Sequence, residues 1–309
     1  MFRNVDLHQS VTHRDFGWFT RVVAPDGFAI EHRSWLGDET RIEETRIEFI
    51  WRFDITPAGN TGVIKIYNLL PETVDHFQHG KLVRLEAGWR PISQHSLLVL
   101  HGTIVGIKTT ELAPSKTVDI HIGDAPEVWN TKVVQHTWPR GVQRSTVFRD
   151  LAGMAGLPIR VFEPAQDGPY PRGLAVRGPL KYAMEMVAKD MRSKFYLYNR
   201  KFYLLPPGRG IDSNVVWDGR HGLFDLSQRI RVPQDGWLKA MLEGFDPAGW
   251  ELAAELTPPI GPDTILRVES RDYQGRVRVV QGVHFSDGDR YATIIDAVPL
   301  GPNKVVISL

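Results

Sequence analysis

The sequence predicts a mainly β fold in which two β-barrel modules flank a small α/β module. Three observations carry that reading. In Arg46–Leu69, Ile47, Phe49, Trp51, Phe53 and Ile55 share one parity while Arg46, Glu48, Arg52 and Asp54 hold the other, with Ile50 the one apolar residue among them. Successive strand side chains point to opposite faces, so this is a long strand with a dry face and a charged face. Strand-like runs punctuated by turn formers fill both flanks of the chain, the signature of compact barrels or sandwiches. Apart from one short helix, helical spacing is found within residues 145–191. The expected divisions are 1–127, 128–214 and 215–309.

Taken in order, Phe16–Val23 and Phe28–Arg33 form a predicted hairpin around Ala24-Pro25-Asp26-Gly27, and the charged Asp38–Glu44 reads as a loop. After the long strand, Thr56–Asn60 is a turn and Val63–Tyr67 a second strand. Pro71–Phe77 reads as a short helix with Pro in its first turn. Leu82–Trp89, Leu97–Ile107 and a strand through Val118, Ile120 and Ile122 complete the first module. Ser145–Gly156 has Val147, Phe148, Leu151 and Ala155 at helical spacing, with Ser145 as a cap and Gly156 as a stop. Gly178-Pro179 opens a second helix whose stripe runs from Leu180 to Met191. Phe195–Tyr198 and Lys201–Leu205 flank Asn199-Arg200 as a tight hairpin, Asn tolerating the positive φ that such a turn needs. Pro206–Gly210 reads as a linker. Beyond it the expected strands are Trp237–Gly244, Trp250–Leu256, Ile265–Ser270, Arg276–Phe285 and Tyr291–Val298.

The 309 residues contain no Cys, so disulfides, thiolate metal sites and Cys nucleophiles are excluded, and synthesis in a reducing cytoplasm is expected. No apolar run reaches the ~18 residues of a membrane span, and the opening MFRNVDLHQS lacks a signal-peptide core. The formal net charge of +1 conceals an uneven distribution. Residues 1–127 carry 13 Lys and Arg against 17 Asp and Glu, residues 128–215 carry 14 against 6, and residues 216–309 carry 10 against 13. The balances are −4, +8 and −3. Such asymmetry concerns partners more than fold.

Chemistry-bearing motifs are scarce. His76 and His79 are spaced for a shared metal, but no third ligand lies nearby in sequence, so no metal is expected. Asp287-Gly288-Asp289 has too few oxygens for a calcium loop and reads as a turn. There is no nucleophile elbow, P-loop lysine or dinucleotide fingerprint; Gly208-Arg209-Gly210 precedes a loop. Glu43-Glu44 could in principle serve as a glycosidase pair, but adjacent residues on a strand would face opposite sides, and a solvated edge explains them. Neither catalytic residues nor a cofactor are expected. In the basic middle, Arg140, Arg144, Arg149, Arg160, Arg172 and Arg177 with Tyr170 and Trp138 mix cations and aromatics in the manner of single-strand binders. Acidic flanks repel phosphate, which favours contact with an acidic protein surface instead.

Two runs carry a family resemblance. One is the F-D-I strand, the turn with Asn60, I-x-I-Y-N-L at Ile64–Leu69, G-x-x-V-x-L-x-A-G at Gly80–Gly88, and L-x-H-G-x-I-x-G continuing toward Ile107. The other is Pro258-Pro259 with Gly261, the strand ending at Ser270, Y-x-G-x-x-R-V-x-x-V-x-H at Tyr273–His284, the D-G-D turn, and Y-A-T-I-I-D-A. Helix-ending A-G-L-P at Ala155–Pro158 and Y-L-L-P-P at the hairpin's end fit between them. Together, over roughly residues 45–300, they resemble the baseplate or tail hub proteins of tailed bacteriophages, the family of the T-even central hub. The resemblance implies two tube-type β-barrel domains per subunit and a homotrimer forming a pseudo-sixfold ring. That ring joins the hexameric tail tube to a trimeric central spike, contacts other baseplate proteins and the tape measure protein, and passes DNA through its lumen without specific binding. It implies a virion location after assembly in the host cytoplasm. Nothing in the chain resembles a lysozyme or peptidoglycan-binding module, so no enzymatic activity is expected. An expectation of a different class is a carbohydrate-binding or carbohydrate-acting protein of the tail tip, with Trp89, Trp138 or Trp250 as a sugar platform. The polar face of the long strand is expected to meet a neighbouring barrel or the lumen, with Ile50 as the subunit contact.

Overall fold

The computed structural model describes residues 18–33, 45–89, 97–112, 115–230 and 248–300. The expected strand Trp237–Gly244, the loop Asp38–Glu44 with Glu43 and Glu44, and the side chain of Trp89 lie outside them.

The chain is mainly β, as its alternating pattern predicts. The first β module contains β1 (Trp18–Val23), β2 (Ala29–Arg33), β3 (Ile47–Asp54), β4 (Thr61–Tyr67), the short helix α1 (Pro71–Val74), β5 (Leu82–Trp89), β6 (Leu97–Leu112) and β7 (Ser115–Gly123). Its strands lie in the order β2-β1-β5-β6-β7-β4-β3, all antiparallel. The parity of β3 sorts as expected: Ile47, Phe49, Trp51 and Phe53 are buried against Ile64, Ile66, Val118, Ile120 and Ile122. α1 is shorter than the predicted Pro71–Phe77, so His76 and His79 fall in the loop that follows it.

The middle module follows, with α2 (Val128–Thr131), β8 (Val133–Trp138), α3 (Arg144–Ala155), β9 (Ile159–Phe162), β10 (Leu174–Pro179), α4 (Leu180–Asp190), β11 (Lys194–Tyr198) and β12 (Lys201–Leu205). α3 ends at Gly156 in the left-handed conformation, φ 69°, as its sequence predicts. Ser145 is not the cap of α3; Gln143 precedes the helix and Ser145 is buried within it. The apolar stripes of α3 and α4 pack with Trp129, Phe195 and Phe202 in a core of their own. β8 and β10 form a two-stranded ribbon, and β11-β12-β9 a separate small sheet in which β9 runs parallel to β12.

The last β module contains β13 (Ile211–Asp218), β14 (Leu223–Ile230), β15 (Ala248–Glu255), β16 (Thr264–Glu269), β17 (Gln274–Ser286) and β18 (Tyr291–Leu300). Pro206–Gly210 is a packed turn: Arg209 N–H donates to Pro206 O at 3.2 Å, and a Cβ on Gly210 would lie 2.7 Å from Asp263 O. β17 pairs with β18 on one side and with β3 on the other, from Gln281↔Asp54 to Ser286↔Phe49. That seam joins the two β modules into one 13-stranded sheet. Their apolar interiors are continuous too, with Tyr291 stacked on Trp18 at 5.0 Å and Trp250, Leu252 and Ile295 in the same core as Trp51.

Trp51 is fully buried, yet its indole N–H has no hydrogen-bond partner among the described residues. An unpaired buried donor carries a desolvation cost of about 1–3 kcal/mol, which phenylalanine does not have. Trp51→Phe is therefore expected to change stability by less than about 1.5 kcal/mol despite the lost ring volume. Trp51→Ala, lacking any compensation, is expected to cost about 3–5 kcal/mol. Denaturant unfolding of the two variants checks the contrast.

Candidate functional site

The structure concentrates its buried charge where the β11–β12 hairpin enters between the two β modules. Asn199 and Arg200 form the hairpin tip at φ 49° and 61°, the two positive values that a type I′ turn requires. The tip is buried at Asn199 and is held by Asp124, at the end of β7. Asp124 accepts from Asn60 N–H at 2.7 Å, from Asn60 Nδ2 at 2.8 Å and from Asn199 N–H at 3.0 Å. Asn60 Nδ2 also donates to Leu197 O at 2.7 Å, and Asn199 Oδ1 accepts from His101 N–H at 2.9 Å. Arg200 Nη1 reaches Thr103 Oγ1 at 2.7 Å. Burial pushes the Asp124 carboxyl up to about 7, against the opposing pull of these hydrogen bonds and of Arg200.

At the base of the hairpin a second node faces the last β module. Asp263, in the left-handed conformation and fully buried, is paired with both Lys194 and Arg278. Burial pulls the Lys194 ammonium down to about 8, and Asp263 partly offsets it. Tyr196 and Tyr198 extend the contact by donating to Pro262 O and Ile260 O at 3.2 and 3.3 Å. One hairpin is thus bolted to both β modules.

His284 closes the arrangement beneath β17. Ile260 O can only accept, so in the neutral ring the proton is on Nε2 and Nδ1 accepts from the Thr293 hydroxyl at 2.8 Å, while Thr293 Oγ1 accepts from Thr257 N–H at 2.8 Å. His284 Nε2–H donates to Ile260 O at 2.9 Å. Burial holds its pKa down at about 4. A depressed pKa contributes stability above the unfolded value of ~6.5 that is lost as pH falls through the folded value. His101 has the same sign and Asp124 the opposite, so the informative quantity is a difference. The stability gap between wild type and His284→Asn is expected to narrow as pH is lowered from 6.5 to 4. Chemical denaturation across that range measures it.

The charged face of β3 meets the last module of the same chain. Arg46 bonds Glu48 at 3.0 Å, pairs with Asp289 at 3.5 Å and donates to Asp287 O in the β17–β18 turn. Ile50, expected to be a subunit contact, packs with Ala253, Val283, Phe285 and Ile294 within the chain, because β3 and β17 are neighbours. Asp287-Gly288-Asp289 is the expected turn, with Asp287 accepting from Asp289 N–H and Arg290 N–H.

The remaining candidates are not gathered into one patch. His76 stacks on Phe28 and pairs with Asp26 at 2.6 Å, while His79 stands apart and exposed. Among the described residues no group of three His, Asp or Glu is placed to hold a metal. Trp138 is buried with its Nε1 donating to Asp150 at 2.8 Å, and Trp250 is buried against Tyr273, so neither offers a sugar or base platform. Arg144 lies over Tyr170, whose hydroxyl donates to Asp190, and Arg149 lies over Phe162. Arg140 donates to Pro171 O at 3.4 Å. Arg160, Arg172 and Arg177 are exposed on separate elements. No helix among the described residues is long and apolar enough to cross a membrane.

Two β modules sharing a sheet, with a helical module wedged between them, is an arrangement found in known structures. The tail protein from Neisseria meningitidis MC58 superposes with a TM-score of 0.60 over 91% of this chain and 96% of its own, at 10% identity. This is the fold of phage tail proteins. The 43 kDa tail protein of prophage MuSo2 from Shewanella oneidensis gives a TM-score of 0.61 over 91% and 98% of the two chains at 8% identity. A component of the type VI secretion system of E. coli, reported as structurally similar to the T4 bacteriophage tail proteins gp27 and gp5, gives 0.59 over 87% and 79% at 11% identity. No family model and no curated protein matches the sequence. The tail-protein fold accounts for the motifs in both outer modules, which are strand and turn residues of the shared sheet.

Proposed function

We propose that this chain is a structural hub of a phage or phage-like tail baseplate, present as a homotrimer. Three copies supply six β modules, enough for a pseudo-sixfold ring that joins the hexameric tail tube to the trimeric central spike. The observation that carries this reading is the β3–β17 seam, which makes the two β modules adjacent members of one sheet. The tail-protein fold over nine-tenths of the chain supports it. In this reading the role is structural and not catalytic: the buried ions at the hairpin hold modules together.

The ring contacts the tube protein, the spike, other baseplate proteins and the tape measure protein, and DNA passes through its lumen. The outer modules, at −4 and −3, repel phosphate, so the channel conducts DNA without binding it. The protein is then located in the virion tail after assembly in the host cytoplasm. Electron cryo-microscopy of the intact particle tests the proposal. It predicts three copies at the axis, between tube and spike; a single copy, or a position away from the axis, overturns it.

A further inference from the structure

The first β module is acidic as a whole, yet one part of its outer face gathers positive charge. Leu82 and Arg84 of β5 lie opposite Thr103 and His101 of β6, on the face away from the buried Val83, Leu85 and Leu100. β7 ends at Gly123, opposite Thr103, so among the described residues β6 has no strand on that side at His101. The β11–β12 tip takes the place: Asn199 Oδ1 accepts from His101 N–H, and Arg200 Nη1 donates to Thr103 Oγ1. Arg84, Arg200 and Lys201 therefore converge on His101. Burial, together with the charges of Arg200, Arg84 and Lys201, holds its imidazole down at about 4.

Little offsets these cations. Among the described residues, none of Arg84, Arg200 and Lys201 forms an ion pair. Asp124 is fully buried with its oxygens taken by Asn60 and Asn199. Burial lowers the Arg200 guanidinium, and Asp124 opposes that only through space. Glu86, the next residue on that face of β5, lies opposite Arg21 of β1. Arg200 also holds its place against backbone preference, since at φ 61° glycine sits without strain and an L side chain does not. Exposed Leu82 and Val105 border the cluster, Val105 bulging from β6 between Ile104 and Gly106.

Arginine beside exposed apolar side chains has the composition of a protein interface. A half-buried guanidinium favours oxyanions, through charge-assisted hydrogen bonds. A long polyanion would also meet the module's balance of −4, whereas a short acidic segment meets only the local cations. We propose that the Arg84–Arg200–Lys201 cluster receives a carboxylate-rich segment of a partner protein, with Leu82 and Val105 taking its apolar side chains. Every group in the site comes from one chain, so a particle with a copy number other than three leaves it standing.

The test titrates hexaglutamate, blocked at both ends, into the full chain at constant ionic strength while NMR follows the His101 imidazole. Carboxylates bound beside His101 are expected to raise its pKa by about one unit, and blocked hexaglutamine to leave it unchanged. Arg200→Gly removes the guanidinium from a position that suits glycine. It is expected to keep the wild-type Tm and to bind hexaglutamate about tenfold more weakly. Arg84→Gln, on the exposed face of β5, is expected to weaken binding similarly and serves if Arg200→Gly does not fold. Hexaglutamate that leaves His101 unmoved, or that binds the variants as tightly as wild type, overturns the proposal. Heptathymidylate, of equal charge, binding more tightly than hexaglutamate also overturns it and assigns the cluster to nucleic acid.

Discussion

Replacing Gly282 with valine is expected to destabilise the chain by about 3 kcal/mol or more, through overpacking in the seam between the β modules. Gly282 lies opposite Phe53 of β3 and Ile295 of β18. A Cβ there would sit 2.7 Å from Ile294 O, 2.7 Å from Phe53 Cζ and 2.9 Å from Ile295 Cγ2. All three atoms belong to the strands that flank β17, Phe53 to β3 and Ile294 and Ile295 to β18, and the Ile294 backbone oxygen cannot rotate away, so the clash is relieved only by displacing β17 from its place in the sheet. The predicted signature in urea is a lower midpoint with a broadened transition, because the outer modules lose their common sheet and unfold less cooperatively. A Gly282→Val protein within about 0.5 kcal/mol of wild type would contradict the seam.

Asp124→Ala is the second large effect. It strands Asn60 N–H and Asn199 N–H and removes one of the two partners of Asn60 Nδ2, all in a buried site. Leaving buried donors unsatisfied costs about 1–3 kcal/mol each, so a loss of at least ~3 kcal/mol is expected. For a chain of 309 residues, with about 2.1 cal/mol/K of unfolding entropy per residue, that corresponds to a fall in Tm of roughly 5 °C. Asp124→Asn places an amide where an acceptor is required and is expected to recover only part of the loss. Wild-type stability carries a further mark of this residue. Its raised pKa gives stability that is complete below the unfolded value of ~3.9 and is lost as pH rises through about 7, and both variants remove that dependence. Amide hydrogen exchange at Asn199 and Arg200 locates the damage at the hairpin tip.

Much of this fold is legible from local pattern. β3, β4, α3, α4 and the Asn199-Arg200 hairpin each write their buried face into a short stretch, and the structure places those faces inward. β13 was legible too, since Ile211, Ser213, Val215 and Trp217 share one parity, but the polar positions between them and the preceding Pro-Gly turn masked it. β8 and β10 were missed because a two-stranded ribbon buries only a few side chains, such as Val134, Trp138 and Val176. β9, four residues long, gains its identity from a parallel partner supplied later in the chain. The expected strand at Tyr291–Val298 is present as Tyr291–Leu300, and its nine consecutive buried residues mark a strand covered on both faces.

The junction was not legible. Asp124, Lys194 and Asp263 have nothing in their immediate sequence to distinguish them from solvated charges; burial by distant elements makes them structural. Ile50 looked like a surface exception because its partners, Val283, Phe285 and Ile294, come more than two hundred residues later.

That separation also governs how the molecule is made. During synthesis β3 acquires β4 early, but its second edge and the apolar Ile50 beside it remain uncovered until Gln281–Ser286 has left the ribosome. Closing a pairing so distant in sequence is slow, and an open apolar edge is a template for wrong partners in the interval. The charges on that face, Glu48 and Arg52 flanking Ile50, serve the nascent chain as gatekeepers before Arg46 and its neighbours serve the finished one.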